Sequence, residues 1–179
     1  MYVSKLDVLK TQGAIRLLRH RFEENLCDAL NLNRVSAPLF VSADSGLNDN
    51  LNGVERPVSF DVLETGEQME IVHSLAKWKR MALGKYGFAV HTGLYTDMNA
   101  VRRDEVTDEI HSIYVDQWDW EKVITAADRT KEYLKDTVRR IYAALLLTAD
   151  YVERLYPELD NYFPREISFV TTRELYDRY

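Results

Sequence analysis

The chain has 179 residues, 46% of them hydrophobic and 29% charged, which is enough apolar material for one packed domain, or a piece of a larger one, and too much for a disordered polymer. Its 23 Lys and Arg stand against 29 Asp and Glu; the net charge of -6 disfavours a general grip on nucleic acid but leaves room for a local anion site. Cys27 is the single cysteine, so no internal disulfide is possible, and no Cys/His spacing suits zinc; with no signal-like start and no long apolar run, the expectation is a soluble, cytoplasmic protein without a membrane span.

In chain order, "TQGAIRLLRHRFEENLCDALN" puts Ile15, Leu18, Phe22, Leu26 and Ala29 or Leu30 on one stripe of a long helix. Cys27 reads there as a small buried group rather than a nucleophile. "RVSAPLFVS" changes to a strand-like period that Pro38 interrupts. "DSGLNDNLNG" has the composition of a loop, and "RPVSFDVLETGEQMEIVHS" offers a hairpin about Thr65-Gly66. Ser74 sits where an N-cap would, and "LAKWKRMALGKY" runs helically to Gly84 or Gly87. "GLYTDMNAV" and "EIHSIYVDQWDW" read as an antiparallel strand pair joined by the polar "RRDEVTD". Residues 130 to 156 form a second long helix with a stripe through Leu134, Val138, Ile141, Leu145, Ala149 and Val152, closed by Pro157. "EISFVT" reads as a short strand, and "TRELYDRY" as a helix still in pattern at the chain end, so the chain is expected to be incomplete.

Four stretches could carry chemistry, each with a plain alternative. In "HSLAKWKR", Lys77 and Lys79 are two apart and point to different sides of a helix, so at most one serves a common ligand and the rest dress a wet face. "NDNLNG" places Asn48, Asn50, Asn52 and Gly53 as in a calcium loop, but Ser59 stands where a bidentate glutamate is needed, and calcium is rejected. Asp49 either stabilises the turn or binds an ammonium group. In "YVDQWDW", alternation puts Gln117 and Asp119 on one face, where they either meet solvent or line a polar pocket. Arg102 and Arg103 are either a phosphate fork or a charged hairpin tip. No Walker loop, dinucleotide fingerprint, HExxH or nucleophile elbow is present.

Read in order, "DNLNGVERPVSF", "VHSLAKWKR", "GLYTDMNAVRRDE" and "HSIYVDQWDWEKVI" resemble aspartate–ammonia ligase, the ammonia-dependent asparagine synthetase family, over nearly the whole chain. The resemblance implies an α+β class II aminoacyl-tRNA synthetase-like catalytic fold, an antiparallel sheet flanked by helices, with residues 1–179 as the N-terminal part of one domain. It implies a homodimer built by the N-terminal helix and the strand after it. It also implies a reaction, in which aspartate attacks the α-phosphate of ATP, pyrophosphate leaves, and ammonia converts the β-aspartyl adenylate to asparagine and AMP.

Carried over by position, Lys79 would reach the aspartate carboxylate and the phosphate, and Arg102 would hold the α-phosphate. Asp49, His73, Ser74, Gln117 and Asp119 would shape the amino-acid pocket, and His111, Ser112 and Ile113 would lie by the adenine. ATP is the implied co-substrate and Mg2+ its companion, though no metal ligand is assigned in these residues. The family's glycine-rich third motif, of the form "GGGIGQSR", has no counterpart here. The competing readings are a non-catalytic remnant acting as a binding or dimerisation module, and tRNA binding, which the acidic balance disfavours.

Overall fold

The computed structural model describes residues 3–49 and 51–179, so Asn50 of the rejected calcium loop lies outside the described residues, as do Met1 and Tyr2. The chain divides into a helical unit, residues 1–29 with 130–179, and a sheet unit, residues 30–129.

The helical unit is built on α1 (Val8–Leu30) and α3 (Lys131–Leu155), with the shorter α4 (Thr172–Arg178). Asn25 Nδ2 donates to Thr148 Oγ1 at 3.0 Å, Arg21 stacks 4.2 Å from the Tyr151 ring centroid, and Lys10 pairs with Glu158 at 3.2 Å. Positions descending α1 meet positions ascending α3, so the two helices run antiparallel. The buried residues of the two helices include Ala14, Phe22 and Leu26 from α1, and Ala144, Thr148 and Val152 from α3. The buried Thr148 hydroxyl accepts from Asn25 and donates to the Ala144 carbonyl, leaving no orphaned polar group.

Ile15 and Leu134, expected on the apolar stripes, are exposed, because the close helix approach is made one position away, at Ala14, and further along α3, at Ala144. Thr130 caps α3 by accepting from the Tyr133 N–H, and Thr171 with Glu174 forms a reciprocal capping box on α4. "EISFVT" is not a strand: no partner strand lies beside it among the described residues, and Phe169 instead sits between Lys135 and Arg139 as a cation–π acceptor.

The sheet unit holds two three-stranded sheets. In the first, β5 (Gly93–Val101) is central, pairing in parallel with β1 (Leu32–Arg34) and antiparallel with β6 (Tyr114–Lys122). In the second, β4 (Gln68–Ile71) is central between β2 (Phe40–Ser42) and β3 (Ser59–Asp61), both antiparallel to it. The hairpin at Thr65-Gly66 forms as expected, with Gly66 at φ +69°. The Pro38 interruption splits the expected strand into β1 and β2, which join different sheets. Glu109–Ile113 belong to the loop before β6, and the strand continues instead to Lys122.

One core serves both sheets and α2 (Ala76–Lys85): Val41 and Val72, then Leu75, Trp78, Ala82 and Leu83, then Leu94, Met98 and Ala100. Gly84 lies inside α2, and Gly87 is the residue that ends it. Gly87 takes φ +72°, its N–H donates to the Gly84 carbonyl, and the Phe88 N–H reaches back to the Leu83 carbonyl at 3.1 Å. That is a Schellman closure, and Phe88 packs on the cluster that contains Leu83. Outside β5, the far edge of β6 has no strand partner among the described residues.

Candidate functional site

Antiparallel register decides which side chains share a face. Thr96 lies opposite Asp119, Met98 opposite Gln117 and Ala100 opposite Val115, so Gln117 and Asp119 project on the same face as the buried Thr96, Met98 and Ala100. The Arg102 N–H donates to the Ile113 carbonyl at 2.8 Å, which carries the pairing one step beyond the strands and puts Arg102 on that face as well. From Thr96 to Arg102 is six residues, about 20 Å of strand. Asp119, Gln117 and Arg102 thus form a row.

α2 adds Lys79 to the Asp119 end. Trp78, Ala82 and Leu83 fix the helix on the core, and the lysine is turned inward with them: it is 6% exposed, whereas Lys77 is exposed. The Lys79 ammonium forms a salt bridge with Asp119, donates to the Trp120 carbonyl at 3.1 Å and lies 3.8 Å from Glu121 Oε2. An ammonium has three N–H donors, and the Asp119 and Trp120 bonds use two of them. The third is available to a further carboxylate or phosphate oxygen. Of the basic residues in "HSLAKWKR", Lys79 is the inward one; Lys77 donates to the Asn48 carbonyl at 3.0 Å, and Arg80 lies 3.5 Å from Glu121 at the surface.

His73 is 1% exposed, and neither ring nitrogen has a hydrogen-bond partner. Arg102 Nε is likewise buried without a partner, and its Nη1 stands 3.9 Å from Glu105 Oε2. Buried polar atoms left unpaired cost about 1–3 kcal/mol each, a cost that any group pairing them would offset. Ser74 is not the N-cap of α2; Leu75 holds that position, and the Ser74 hydroxyl, one residue earlier, accepts from the Ala76 N–H at 3.2 Å. His111, Ser112 and Ile113 are exposed on the 102–113 loop. Asp108 shapes that loop by accepting the Ile110 and His111 N–H groups and the His111 ring Nδ1, all at 2.8 Å; these bonds, the Ile110 one foremost, lower its carboxyl below the ordinary value.

Asp49 is half-buried beside a residue that the sequence reading used only to reject calcium. Asn48 donates to Glu70 Oε2 at 3.0 Å and to the Ile71 carbonyl, accepts the His73 N–H at 2.9 Å, and through its own carbonyl accepts Lys77. One amide side chain thereby fixes the Asp49 loop to β4 and to the start of the His73–Lys79 segment. Arg56 and Asp104, also missed, pair across two loops. Their opposite charges were visible in the sequence, but nothing local connects residues so far apart.

An apolar cavity of about 480 Å³ lies elsewhere, in the helical unit, lined by Leu18, Val152, Leu159, Tyr162 and Phe163 among others. No lysine or arginine lines it. Among the described residues no group of three or more His, Cys, Asp or Glu could hold a metal ion, and no helix is long and apolar enough to cross a membrane.

The fold resembles solved synthetases. Asparaginyl-tRNA synthetase of Entamoeba histolytica superposes with a TM-score of 0.56 over 94% of this chain and 36% of that one, at 13% identity. Pyrrolysyl-tRNA synthetase from Desulfitobacterium hafniense gives 0.51 over 75% of this chain and 51% of its own, at 16% identity. The architecture is therefore α+β and of the class II aminoacyl-tRNA synthetase type.

The family model described as aspartate-ammonia ligase matches residues 9–179. The aspartate–ammonia ligase of Fusobacterium nucleatum is 58% identical over 178 residues, 99% of this chain and 54% of the relative; that of Bacillus cytotoxicus is 56% identical over 179 residues, 100% and 55%. The chain belongs to the aspartate–ammonia ligase family. It spans about half the length of the relatives it matches.

Proposed function

We propose that this chain carries the aspartate-binding and α-phosphate-binding part of an ATP-dependent ligase that converts aspartate and ammonia to asparagine, within a single class II catalytic domain. The observation that carries the reading is the inward Lys79, held by Asp119 on the sheet face that also bears Gln117 and Arg102. A substrate carboxylate takes the unspent donor of Lys79, while Asp119, Asp49 and Gln117 meet the ammonium and polar end of the amino acid. His73 and Ser74 border that pocket from the turn before α2. Arg102 lies farther along the row and receives the α-phosphate, with His111, Ser112 and Ile113 beside the base.

In the first step an oxygen of the aspartate side-chain carboxylate bonds to the α-phosphorus as the bond to the β-phosphate oxygen breaks, and pyrophosphate departs. In the second, ammonia attacks the acyl carbon, the acyl–phosphate bond breaks, AMP leaves, and the amide forms with loss of a proton. Charge accumulates on the α-phosphoryl oxygens in the first step, and fixed cations such as Arg102 and Lys79 lower its barrier without solvent reorganisation. Magnesium is expected to arrive with ATP, and the residues described here offer no dedicated ligand set for it.

A homodimer through α1 and the strand following it is supported by exposed apolar side chains at Val8, Leu9 and Ile15 and, beyond, at Leu39 and Phe40. A cytoplasmic location agrees with a biosynthetic ligase. The test is calorimetric binding of aspartate, with Lys79→Ala as control, together with aspartate-dependent exchange of pyrophosphate into ATP. Aspartate binding that Lys79→Ala abolishes supports the site; binding that is absent, or indifferent to Lys79, refutes it. Little or no exchange by this chain alone is expected, because the glycine-rich third motif has no counterpart in it; robust exchange would overturn that expectation.

A further inference from the structure

Two loops flank the row of site residues. Residues 46–58 carry Asn48 and Asp49, and residues 102–113 carry Arg102 and His111 to Ile113. Each is fixed at its root: Asn48 ties the first to β4 and to the His73 N–H, and the Arg102 N–H to Ile113 carbonyl bond closes the second. Arg56 and Asp104 then join one loop to the other. The Arg56 backbone N–H donates to Asp104 Oδ2 at 2.9 Å, Nε donates to the same oxygen at 3.0 Å, and Nη2 donates to Oδ1 at 2.6 Å.

A guanidinium and a carboxylate joined by two parallel bonds fix orientation as well as distance, which a single point charge does not. The backbone bond adds a third restraint, tying the path of the first loop and not only the tip of a long side chain. The side-chain bonds from Arg56, then its backbone N–H, hold the Asp104 carboxyl well below the usual carboxylate range. Asp104 is also two residues from Arg102, so a displacement of the 46–58 loop is transmitted almost directly to the guanidinium proposed for the α-phosphate.

We propose that the Arg56–Asp104 pair is a latch that makes the amino-acid loop and the nucleotide loop order as one body, so that filling either substrate position prepares the other. The assignment of ligands to loops rests on the ligase reading above; the mechanical link does not. Both residues are positioning residues. If the loops were independent, each ligand would meet the ordering cost of its own loop alone, and no coupling between the ligands would arise from them; when latched, the first ligand to bind also orders the loop the second one needs.

The test compares the chain with its Arg56→Ala, Asp104→Asn and Arg56→Lys variants, first confirming the fold by far-ultraviolet circular dichroism. Backbone hydrogen exchange is expected to rise about tenfold or more in both 51–57 and 103–112 for Arg56→Ala and for Asp104→Asn, and less for Arg56→Lys, which keeps the charge but loses the fork. A rise confined to the loop bearing the substitution overturns the latch. In parallel, the Kd of Mg-ATP is measured with and without saturating aspartate. Aspartate is expected to tighten ATP by about fivefold or more in the unaltered chain. In Arg56→Ala that factor falls to about one, while the Kd for each ligand alone stays within about threefold.

An unchanged coupling factor in Arg56→Ala, or an equal weakening of both single-ligand affinities as in general loosening, overturns the proposal. If the unaltered chain binds neither ligand, it is the ligase reading that fails, and the exchange measurement by itself decides the latch.

Discussion

Replacing Lys79 by Met keeps most of the side-chain stem and deletes the ammonium. What remains is the Asp119 carboxylate, Glu121, and the Trp120 carbonyl that accepted the lysine at 3.1 Å, now facing a thioether. Breaking a fully buried pair by removing one partner costs about 3–5 kcal/mol. Here the lysine side chain is 7% exposed but that of Asp119 is 20%, so water recovers part of the loss and about 2–3 kcal/mol is expected. For a chain of this size each kcal/mol moves Tm by about 2–4 °C, which puts the fall at about 4–12 °C.

Lys77→Met removes a part-buried hydrogen bond to the Asn48 carbonyl and should cost about 1 kcal/mol. The double variant Lys79→Met/Asp119→Leu should regain much of the stability, because neither partner is then left unpaired, but it should not regain aspartate binding. Melting followed by tryptophan fluorescence gives the stabilities. Calorimetry gives the affinities, with Lys79→Met expected to weaken aspartate about 10- to 100-fold. Equal effects of Lys77→Met and Lys79→Met on aspartate affinity, or a stability loss under about 1 kcal/mol for Lys79→Met, would refute the reasoning.

Gly93→Ala places a Cβ against the Glu121 carbonyl oxygen and 2.8 Å from Leu32 Cδ2 and the Lys122 Cα, where β5 meets both of its neighbours. A urea titration should show a loss of about 2–3 kcal/mol, and a change below about 0.5 kcal/mol would contradict that packing. Cys27 is half-buried, and burial first, then Glu23 and Asp28, push its thiol up to about 11 from an ordinary 9. Its thiolate fraction at pH 8 is then about 100-fold below that of an ordinary thiol, so alkylation by iodoacetamide should slow by a comparable factor, measurable by mass spectrometry. Because the native state holds its proton to higher pH than the unfolded chain, the contribution of Cys27 to stability is level below pH 9 and falls as pH rises from 9 to about 11.

Much of the fold was legible because it repeats. The three-and-four spacing of α1 and α3 and the alternation in β5 and β6 are periodic signals, and the Gly66 and Gly87 turns carry residues that tolerate positive φ. Alternation also put Gln117 and Asp119 on one face correctly, and helical spacing separated Lys79 from Lys77. Alternation misled at "EISFVT" and at Glu109–Ile113, since an alternating segment becomes a strand only when another edge lies beside it.

The missed residues share one property. Asn48 joins its loop to Glu70, Ile71 and His73, and Arg56 reaches Asp104 across 48 positions; these bonds are long in sequence and have no period. Spacing therefore separated Lys79 from Lys77 and put Gln117 with Asp119, but the choice of Lys79 and of Arg102 came from the resemblance, while the bonds that hold the loops needed three dimensions.

The outer margin of β6 has no strand beside it among the described residues, although the Trp120 carbonyl accepts the Lys79 ammonium. A sheet margin without a partner strand is in general a template for an extended peptide. Asp116, Asp119, Glu121 and Lys122 place charge along that strand and discourage a loose match. Handling at low ionic strength, where like charges repel over a longer range, should accordingly keep the purified polypeptide from clumping better than high salt does.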